Sequence, residues 1–402
     1  MKKRLFAVVL SALLLLAGAS FALNAFGDVR RTTGTVTITR EEYDRLLQYK
    51  KMDEVLQYIE AYYYKEPEVN TLIDSAISGL MYGLEDPYTF YYNEAAWAEL
   101  QEEESGEYTG IGIQLLGSYE DYSVTITRVF KDTPAQEIGL RKGDLLVRVE
   151  DIEVNVETMQ SAVNVMRGAV GESVEVEVYR QGEYLTFTVT RAPIQTNYID
   201  YAMLENNVGY VIIYQFAAEA FQKDFTAAMD ALEAQGAKSV ILDLRDNPGG
   251  WVHDSVFVAD RFLDEKLVVY AMDRYGNRDD NKTGKGGSDI PLVVLVNENS
   301  ASSSEILAGA LQDHGRATII GEKTFGKGVM QYVIPLSDNK TGIQFTYCEY
   351  FTPNGNAVHG IGITPDITVS MPEEMAYANF EVGDMTDPQL QAAWEEAVKL
   401  GK

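Results

Sequence analysis

A cluster of serines stands where an apolar segment gives way to a helical pattern, and a serine hydroxyl is a potential nucleophile. Residues 291–297 are almost all apolar, serines occupy four of the five positions from 300 to 304, and an apolar-patterned helix follows. A hydroxyl at such a junction lies beside unpaired backbone N–H groups and the positive end of a helix, which can stabilise an oxyanion. Serines before helices are commonly N-caps, so this segment alone leaves both interpretations open.

A serine nucleophile needs a base, and the sequence offers a lysine more readily than a histidine. The three histidines lie on a predicted helix or in predicted loops, so their spacing neither supports nor excludes a Ser-His-Asp triad. Lys327 lies between Gly326 and Gly328, which let other backbone segments approach closely. Burial would lower the pKa of this lysine because desolvation disfavours the charged form, and the neutral amine could then accept a proton.

The lysine segment also comes close to a phosphate-binding loop. Residues 321–327 have the glycine and lysine spacing of a P-loop. The next position should hold Ser or Thr to bind magnesium, but it holds Gly328, and residues 329–336 predict a strand where a P-loop requires a helix. The sequence therefore argues against nucleotide binding here.

A Pro-Gly-Gly turn is a second possible source of oxyanion donors. Residues 243–250 follow the end of a predicted buried strand, and the two glycines would expose backbone N–H groups. A plain turn between a strand and a helix has a similar composition. The functional and the structural interpretation of this turn both stay open on sequence alone.

The composition excludes several other kinds of function. The chain has 402 residues, of which 46% are apolar, and its formal net charge is −28. Such a charge repels phosphate backbones, so we expect no nucleic-acid partner. A single cysteine, Cys348, excludes an internal disulfide framework and a thiolate zinc site, and three histidines leave little room for a metal centre. We therefore expect no metal and no organic cofactor.

The first 30 residues have the pattern of an export segment. Three basic residues at positions 2–4 precede a mostly apolar run that extends from Leu5 to about Phe26. The run is long enough to span a bilayer, while residues 20–22 offer a small-residue cleavage site. A membrane anchor is favoured over a cleaved signal. In both cases we expect the catalytic part outside the cytoplasm, either held at the cell membrane or secreted.

The remaining sequence divides into four regions. Residues 36–100 predict helices, because apolar side chains recur at three- and four-residue steps. Residues 101–193 predict short strands around two short helices, which indicates a β-rich module. Residues 194–378 alternate between strands and helices, as in an α/β core, although residues 274–289 predict an exposed loop. Residues 379–402 end in a helix.

Taken in order, these segments resemble the carboxyl-terminal processing proteases, also called tail-specific proteases. The resemblance covers nearly the whole chain after the export segment, at residues 84–88, 110–113, 243–250, 300–306, 324–331, 350–355 and 362–366. Each motif is modestly specific, but their order and spacing are highly specific. The resemblance implies a multidomain α/β protein with an N-terminal helical region, a β-rich PDZ-like domain and an α/β serine protease core.

The resemblance also assigns the catalytic residues. Ser302 takes the position of the family's nucleophile, Lys327 that of its catalytic lysine, and Gln331 that of a supporting glutamine. In an ideal strand, residues 327 and 331 would lie about 13 Å apart on one face. A direct contact between them therefore requires a turn or a bulge.

The expected oxyanion donors are backbone amides, those of Ser303 and of either Gly249 or Gly250. The sequence departs from the family pattern at two of the neighbouring positions. Ser303 replaces an alanine, and Asp246 replaces the first asparagine of an Asn-Asn-Pro-Gly-Gly turn. Neither change removes a catalytic group, because the donors belong to the backbone.

The PDZ resemblance implies a groove in which a peptide adds as an extra strand. Its terminal carboxylate would meet the backbone amides of Gly110, Ile111, Gly112 and Ile113, and the two isoleucines would shape the pocket. Arg167, at a predicted helix end, could contact a carboxylate or the protease core. A solvated charge at a helix C-terminus is also favourable by itself, so that alternative stays open.

We therefore interpret the chain as an exported serine endopeptidase that recognises the accessible C-terminal tails of its protein substrates. The N-terminal segment would hold it at the membrane, and the N-terminal helices could form a homodimer. One rival is a catalytically inactive PDZ scaffold, but Ser302, Lys327 and Gln331 are all retained. A His-dependent, trypsin-like PDZ protease would need a Gly-Asn-Ser-Gly-Gly motif, which the sequence lacks.

Overall fold

The computed structural model describes residues 36–105, 107–118, 121–195, 197–217, 220–372, 375 and 380–402. The predicted export segment, residues 1–30, lies outside the described residues. The described chain divides into two compact units: residues 36–94 with Val333–Phe345, and Ala95–Tyr332 with Thr346–Lys402. Within the described ranges, no helix combines the length and the apolar character that a membrane span requires.

The first unit is built from two helices and a short pair of strands. Helix α1 (Arg40–Tyr62) begins with a capping box between Thr39 and Glu42, and α2 (Val69–Tyr82) follows it. Strand β1 (Phe90–Tyr92) pairs antiparallel with the first three residues of β18 (Gly342–Phe351). The predicted helices are confirmed, whereas β1 was not predicted. None of the side chains of α1 is buried.

The PDZ-like domain in the second unit is built on a six-stranded antiparallel sheet with two short helices. After α3 (Glu94–Ser105), β2 (Glu107–Gly110) pairs with β9 (Ala192–Gln195). The strand order in the sheet is β3 (Ile113–Gly117), β4 (Val124–Val129), β5 (Leu145–Val149), β7 (Ser173–Arg180) and β8 (Glu183–Thr190). Strand β6 (Ile152–Glu153) pairs with β5. The two helices are α4 (Pro134–Glu137) and α5 (Met159–Met166). Alternate valines of β7 are buried, as period-two patterning requires.

The α/β core is a mainly parallel sheet that is covered on both faces. Its order is β10 (Ile199–Leu204), β11 (Val208–Ile213), β12 (Ser239–Asp243), β15 (Leu292–Val296), β16 (Ala317–Gly321) and β19 (Ile367–Thr368), and only the β10–β11 pair is antiparallel among these described strands. Helices α6 (Phe221–Ala234), α7 (Val252–Asp260) and α8 (Ser303–Asp313) pack on one face, and α9 (Pro388–Leu400) packs on the other. Double coverage explains the apolar runs of β12 and β15.

A smaller sheet carries the remaining strands of the core. Strand β13 (Leu267–Asp273) pairs with β14 (Arg278–Lys282) and with Cys348–Phe351 of β18, and β17 (Val329–Pro335) also pairs with β18. The prediction of a loop over residues 274–289 is therefore wrong for β14. Its side chains are charged because the strand lies at an exposed edge, where Asp280 pairs with Arg278 and Lys282. Cys348 is buried in this sheet.

Candidate active site

Ser302 lies at the junction of β15 and α8, where the sequence predicts a nucleophile. It is the N-cap of α8, and its φ of 55° lies in a region that residues other than glycine rarely adopt. Its side chain is partly exposed, whereas the neighbouring serines are fully buried. Strained backbone of this kind persists only where surrounding contacts hold it in place, and it is common at functional sites.

The three neighbouring serines bind the turn that precedes α7. Ser300 Oγ donates to the Leu244 carbonyl over 2.7 Å, and Ser303 Oγ donates to the Gly250 carbonyl over 2.8 Å. Ser304 Oγ donates to the Asn247 carbonyl over 3.0 Å. These hydroxyls therefore join the nucleophile segment to the Pro-Gly-Gly turn. Ser302 is the member of the cluster that faces solvent.

The Pro-Gly-Gly turn lies directly against Ser302. A Cβ atom on Gly249 would lie 2.7 Å from Ser302 Cβ and 2.9 Å from Ser303 N, and a Cβ atom on Gly250 would lie 1.9 Å from the Phe216 carbonyl oxygen. Both glycines also have positive φ, at 103° and 131°. Only glycine fits at these positions without rearrangement, so the turn's backbone comes within reach of the reacting group.

The amides of the two glycines differ in their hydrogen bonding. Gly249 N–H already donates to Asn247 Oδ1 over 2.8 Å, and Gly249 is buried. Gly250 is exposed, and its carbonyl oxygen accepts from Ser303 Oγ. Ser303 is the first residue of α8, where a helix has no internal acceptor for the amide. Gly250 and Ser303 are therefore the two candidate oxyanion donors.

Lys327 lies in a loop that a buried carboxylate ties to the Ser302 segment. Glu305, with no exposed surface, accepts from the amide of Ser302 over 3.0 Å and from the amide of Lys327 over 2.8 Å, both through Oε2. Its Oε1 accepts from Gly326 N–H over 2.7 Å and from the Thr324 hydroxyl over 2.5 Å. One side chain therefore fixes the backbones of both predicted catalytic residues.

A tyrosine hydroxyl provides a second link between the same two residues. Tyr350 OH lies 2.5 Å from the Lys327 carbonyl oxygen and 3.1 Å from the Ser302 carbonyl oxygen. On the far side of the lysine loop, a Cβ atom on Gly328 would lie 2.1 Å from His359 N, so that backbone packs directly on backbone. The loop is therefore packed closely at Gly328 and bonded through the Lys327 carbonyl.

Gln331 lies on β17, and Lys327 lies in the loop before that strand. The Gln331 amide donates to Thr346 Oγ1 on β18 over 3.1 Å. The direct Lys327–Gln331 contact that a turn would allow stays a prediction. The recorded hydrogen bond gives Gln331 a role in joining β17 to β18.

The predicted peptide-binding residues lie at the start of the PDZ-like sheet. Gly110 ends β2 and Ile113 begins β3, which is an edge strand of the sheet. Ile111 is buried in the core of the domain, and Gly112 has a φ of 89°. Arg167 follows α5 and lies over the Tyr108 ring at 5.5 Å. The loop and the edge strand therefore adjoin, as tail binding requires.

Glu305 is the site residue that the sequence analysis missed. Burial raises the pKa of its carboxyl, and hydrogen bonds from Thr324 and from the amides of Gly326 and Lys327 offset part of that rise. A signal was present, because Ser302 and Glu305 have the S-x-x-E spacing of a capping box. Among the described residues, no group of His, Cys, Asp and Glu is arranged to hold a metal ion.

Three family models match the chain. Peptidase family S41 matches residues 207–369, the PDZ domain matches residues 109–190, and the N-terminal domain of the activating protease CtpB matches residues 13–96. These matches confirm the predicted family and fold class: an N-terminal region, a PDZ domain and a protease core.

Curated relatives and a solved structure match over most of their length. The carboxy-terminal-processing protease of Bartonella bacilliformis is 33% identical over 353 residues, which cover 86% of this chain and 80% of that protein. The carboxyl-terminal-processing protease of Synechocystis is 36% identical over 326 residues, which cover 79% of this chain and 75% of that protein. The structure of the photosystem II D1 C-terminal processing protease matches with a TM-score of 0.60 at 28% identity, over 91% of this chain and 98% of that chain.

Proposed function

Because this chain belongs to the carboxyl-terminal processing proteases of peptidase family S41, we propose that it is a serine endopeptidase with a Ser302–Lys327 catalytic pair. The observation that carries the proposal is the buried Glu305 carboxylate, whose Oε2 accepts from the amides of both residues. A shared anchor of this kind holds nucleophile and base in one geometry before substrate arrives, and such positioning is a large part of catalysis.

The proposed reaction is acyl transfer. Lys327 Nζ, in its neutral form, takes the proton from Ser302 Oγ as the oxygen attacks the scissile carbonyl carbon, and the lysine then gives that proton to the departing amine. Water hydrolyses the resulting ester in a second step, with Lys327 again removing the proton and returning it to the serine. The amides of Gly250 and Ser303 donate to the oxyanion in both steps.

We further propose that substrates are recognised by their C-terminal tails. The edge strand β3 can accept an added peptide strand, and the loop from Gly110 to Ile113 can meet the terminal carboxylate with backbone amides. The Arg167 guanidinium lies 5.5 Å from the centre of the Tyr108 ring, which precedes that loop. Its positive charge can attract the terminal carboxylate of a bound peptide. Protein and peptide tails are therefore the proposed substrate class.

The proposed setting is outside the cytoplasm, at the cell membrane or secreted, with residues 1–30 as anchor or signal. The basic start and the apolar run support export. We also propose that the N-terminal helices form a homodimer. Apolar side chains of α1, among them Leu46, Val55 and Tyr58, are exposed within their own unit, and a second copy would cover them.

Degradation of unfolded casein by the purified protein tests the catalytic pair. Ser302→Ala should remove all measurable activity, and Lys327→Arg should do the same, because arginine keeps its proton at working pH. Lys323→Arg, at an exposed lysine of the same loop, is the matched control and should stay active. Circular dichroism would check folding of each variant.

An active Lys327→Arg enzyme would show that the residue supplies only positive charge. A wild-type protein that binds tail peptides but leaves casein intact would support the inactive scaffold instead.

A further inference from the structure

The PDZ-like domain and the protease core, both within the second compact unit, are joined by more than the chain that links them. The covalent connection from β9 to β10 spans only residues 196–198. Two side chains of the PDZ-like domain, Arg128 and Lys142, reach across to the core. We call these two side chains with their partners the docking contacts.

The first docking contact lies at the covalent connection itself. The Arg128 guanidinium on β4 donates to the carbonyl oxygen and to Oδ1 of Asn197 over 2.7 and 2.8 Å. Its Cζ lies 3.4 Å from the centre of the Tyr214 ring and 4.6 Å from that of Phe130. Burial lowers the pKa of Arg128 to about 10, which still leaves it charged at neutral pH, where its hydrogen bonds and ring contacts hold the two domains together.

The second docking contact ends in the active-site turn. Lys142 Nζ donates to Asp246 Oδ2 over 3.1 Å. The other oxygen of Asp246 accepts from the side-chain amides of Asn297 and Asn299, over 2.8 and 2.9 Å, in the segment that leads to Ser302. The PDZ-like domain is therefore tied to both backbone segments that build the site.

Each end of this ion pair is held rigidly in its own domain. On the PDZ side, the buried Asp144 accepts from the Arg180 guanidinium and from the Arg141 amide, which fixes the loop that carries Lys142. On the core side, the Asp246 amide donates to Asn297 Oδ1 over 2.9 Å. Each partner of the ion pair is therefore held by further hydrogen bonds within its own domain, so the pair links two ordered loops.

We propose that the Lys142–Asp246 pair is a specificity-determining contact, which sets how far from its tail a substrate is cut. The inference rests on the proposed function. A tail held in the PDZ groove can reach Ser302 only through the stretch of peptide that spans the two sites. Because the docking contacts fix the groove relative to the active site, that stretch has a constant length. Loosening the contact lets the domain shift, so that cuts fall at several positions.

The test maps the products of a synthetic peptide built from one repeated tripeptide, which offers the same bond in every repeat and ends in a free carboxylate. Intact-mass analysis gives the distance of each cut from the tail. The wild-type protein should favour one repeat, and this preference should disappear when the terminal carboxylate is amidated. Lys142→Glu places two carboxylates together and should lower the share of the favoured product about two- to fivefold, the range expected for a partly exposed ion pair.

Two further variants make the result specific. In Lys142→Glu combined with Asp246→Asn, the new amide can donate to Glu and still accept from the two asparagines, so the preference should return. Lys131→Glu changes the charge of an exposed lysine elsewhere on the same domain and should match the wild type. Degradation of casein should be equal in the wild type, Lys142→Glu and Lys131→Glu, because neither lysine belongs to the catalytic groups.

An unchanged product pattern in Lys142→Glu overturns the inference, and so does an equal loss in Lys131→Glu. A wild-type pattern with no favoured repeat overturns it too, while leaving the protease itself in place. Absence of any cleavage by the wild-type protein overturns the proposed function and this inference with it.

Discussion

Glu305 at the catalytic junction has no exposed surface, whereas the side chains of Lys142 and Asp246 at the docking contact are 34% and 42% exposed. The buried carboxylate accepts from three amides and one hydroxyl. The exposed pair makes one ion-pair contact, which water and salt weaken. The segments of Ser302 and Lys327 are therefore joined by interactions that solvent does not reach, whereas one of the two docking contacts of the PDZ-like domain lies where water and salt can weaken it.

Removal of the buried Glu305 carboxylate should have the largest effect, and it tests whether this side chain holds the segments of Ser302 and Lys327. Glu305→Ala leaves four donors without their acceptor, and we expect the free energy of unfolding to fall by about 3 kcal/mol. The catalytic rate should fall about 100-fold or more, because Ser302 and Lys327 lose their common anchor. Denaturant unfolding and casein turnover measure the two effects.

Glu305→Gln is the control for volume, and it should recover part of the stability and little of the rate, since one carboxylate oxygen is replaced by a donor. A Glu305→Ala protein with near wild-type turnover would show that the junction is held by other groups.

The next largest effect should come from adding one methyl group beside the nucleophile. In Gly249→Ala the new Cβ would lie 2.7 Å from Ser302 Cβ, and we expect turnover to fall about tenfold or more as the turn moves away. Gly276→Ala is the matched control, because Gly276 also has a positive φ but has open space around it. That variant should lose about 1 kcal/mol of stability and keep its activity. Equal activity in both variants would mean that the Pro-Gly-Gly turn can accommodate the added methyl group without loss of turnover.

A smaller effect is expected from deleting one of the hydroxyls that join the two segments of the site. Ser304→Ala removes a single buried hydrogen bond to the Asn247 carbonyl, which should cost about 1 kcal/mol of stability. Most of the activity should remain, in contrast to Ser302→Ala. Thermal unfolding and casein turnover, measured side by side with Ser300→Ala, would check this. Complete inactivation of both variants would place the nucleophile assignment in question.

Much of the site could be predicted from the sequence because its motifs are local. Ser302 and Lys327 each lie in a short segment whose residue types match their roles. The anchor between them could not be predicted in the same way. Glu305 has a helix-cap spacing in sequence, but its second set of partners, residues 324–327, lies about twenty positions away. Only the folding back of the loop after β16 brings them together.

The same division holds for the fold. Strands β5 and β16 lie in regions for which the sequence predicts strands, because their apolar pattern is strong. Strand β14 was missed, since its five residues are almost all charged and its order comes from pairing with β13. Strands β2 and β9 are short and pair with each other across more than 80 residues of chain, a relation that no local pattern carries.

The smallest effect is expected from lowering the pH. It tests whether the Lys142–Asp246 ion pair keeps its charges in mild acid. Lys142 and the amides of Asn299 and Asn297 hold the pKa of Asp246 at about 2, below its ordinary value, although burial acts the other way. Its contribution to docking is therefore complete above about pH 4, the unfolded value, and is lost as the pH falls through about 2. Docking should not change between pH 8 and pH 5.

Energy transfer between labels on the two domains of the inactive Ser302→Ala variant would measure this. Loosening of the domains between pH 7 and pH 5 would contradict the assignment of Asp246 as the acidic partner.

The single cysteine can serve as a probe of how often the strand around it opens. Cys348 is buried on β18, two residues before the tyrosine whose hydroxyl links the carbonyls of Ser302 and Lys327. Burial raises the pKa of its thiol, so the closed strand reacts slowly with thiol reagents at neutral pH. Modification then requires that the strand open, and its rate reports how often the catalytic junction comes apart in the native protein. The native cysteine therefore allows the rate of opening to be measured without an engineered labelling site.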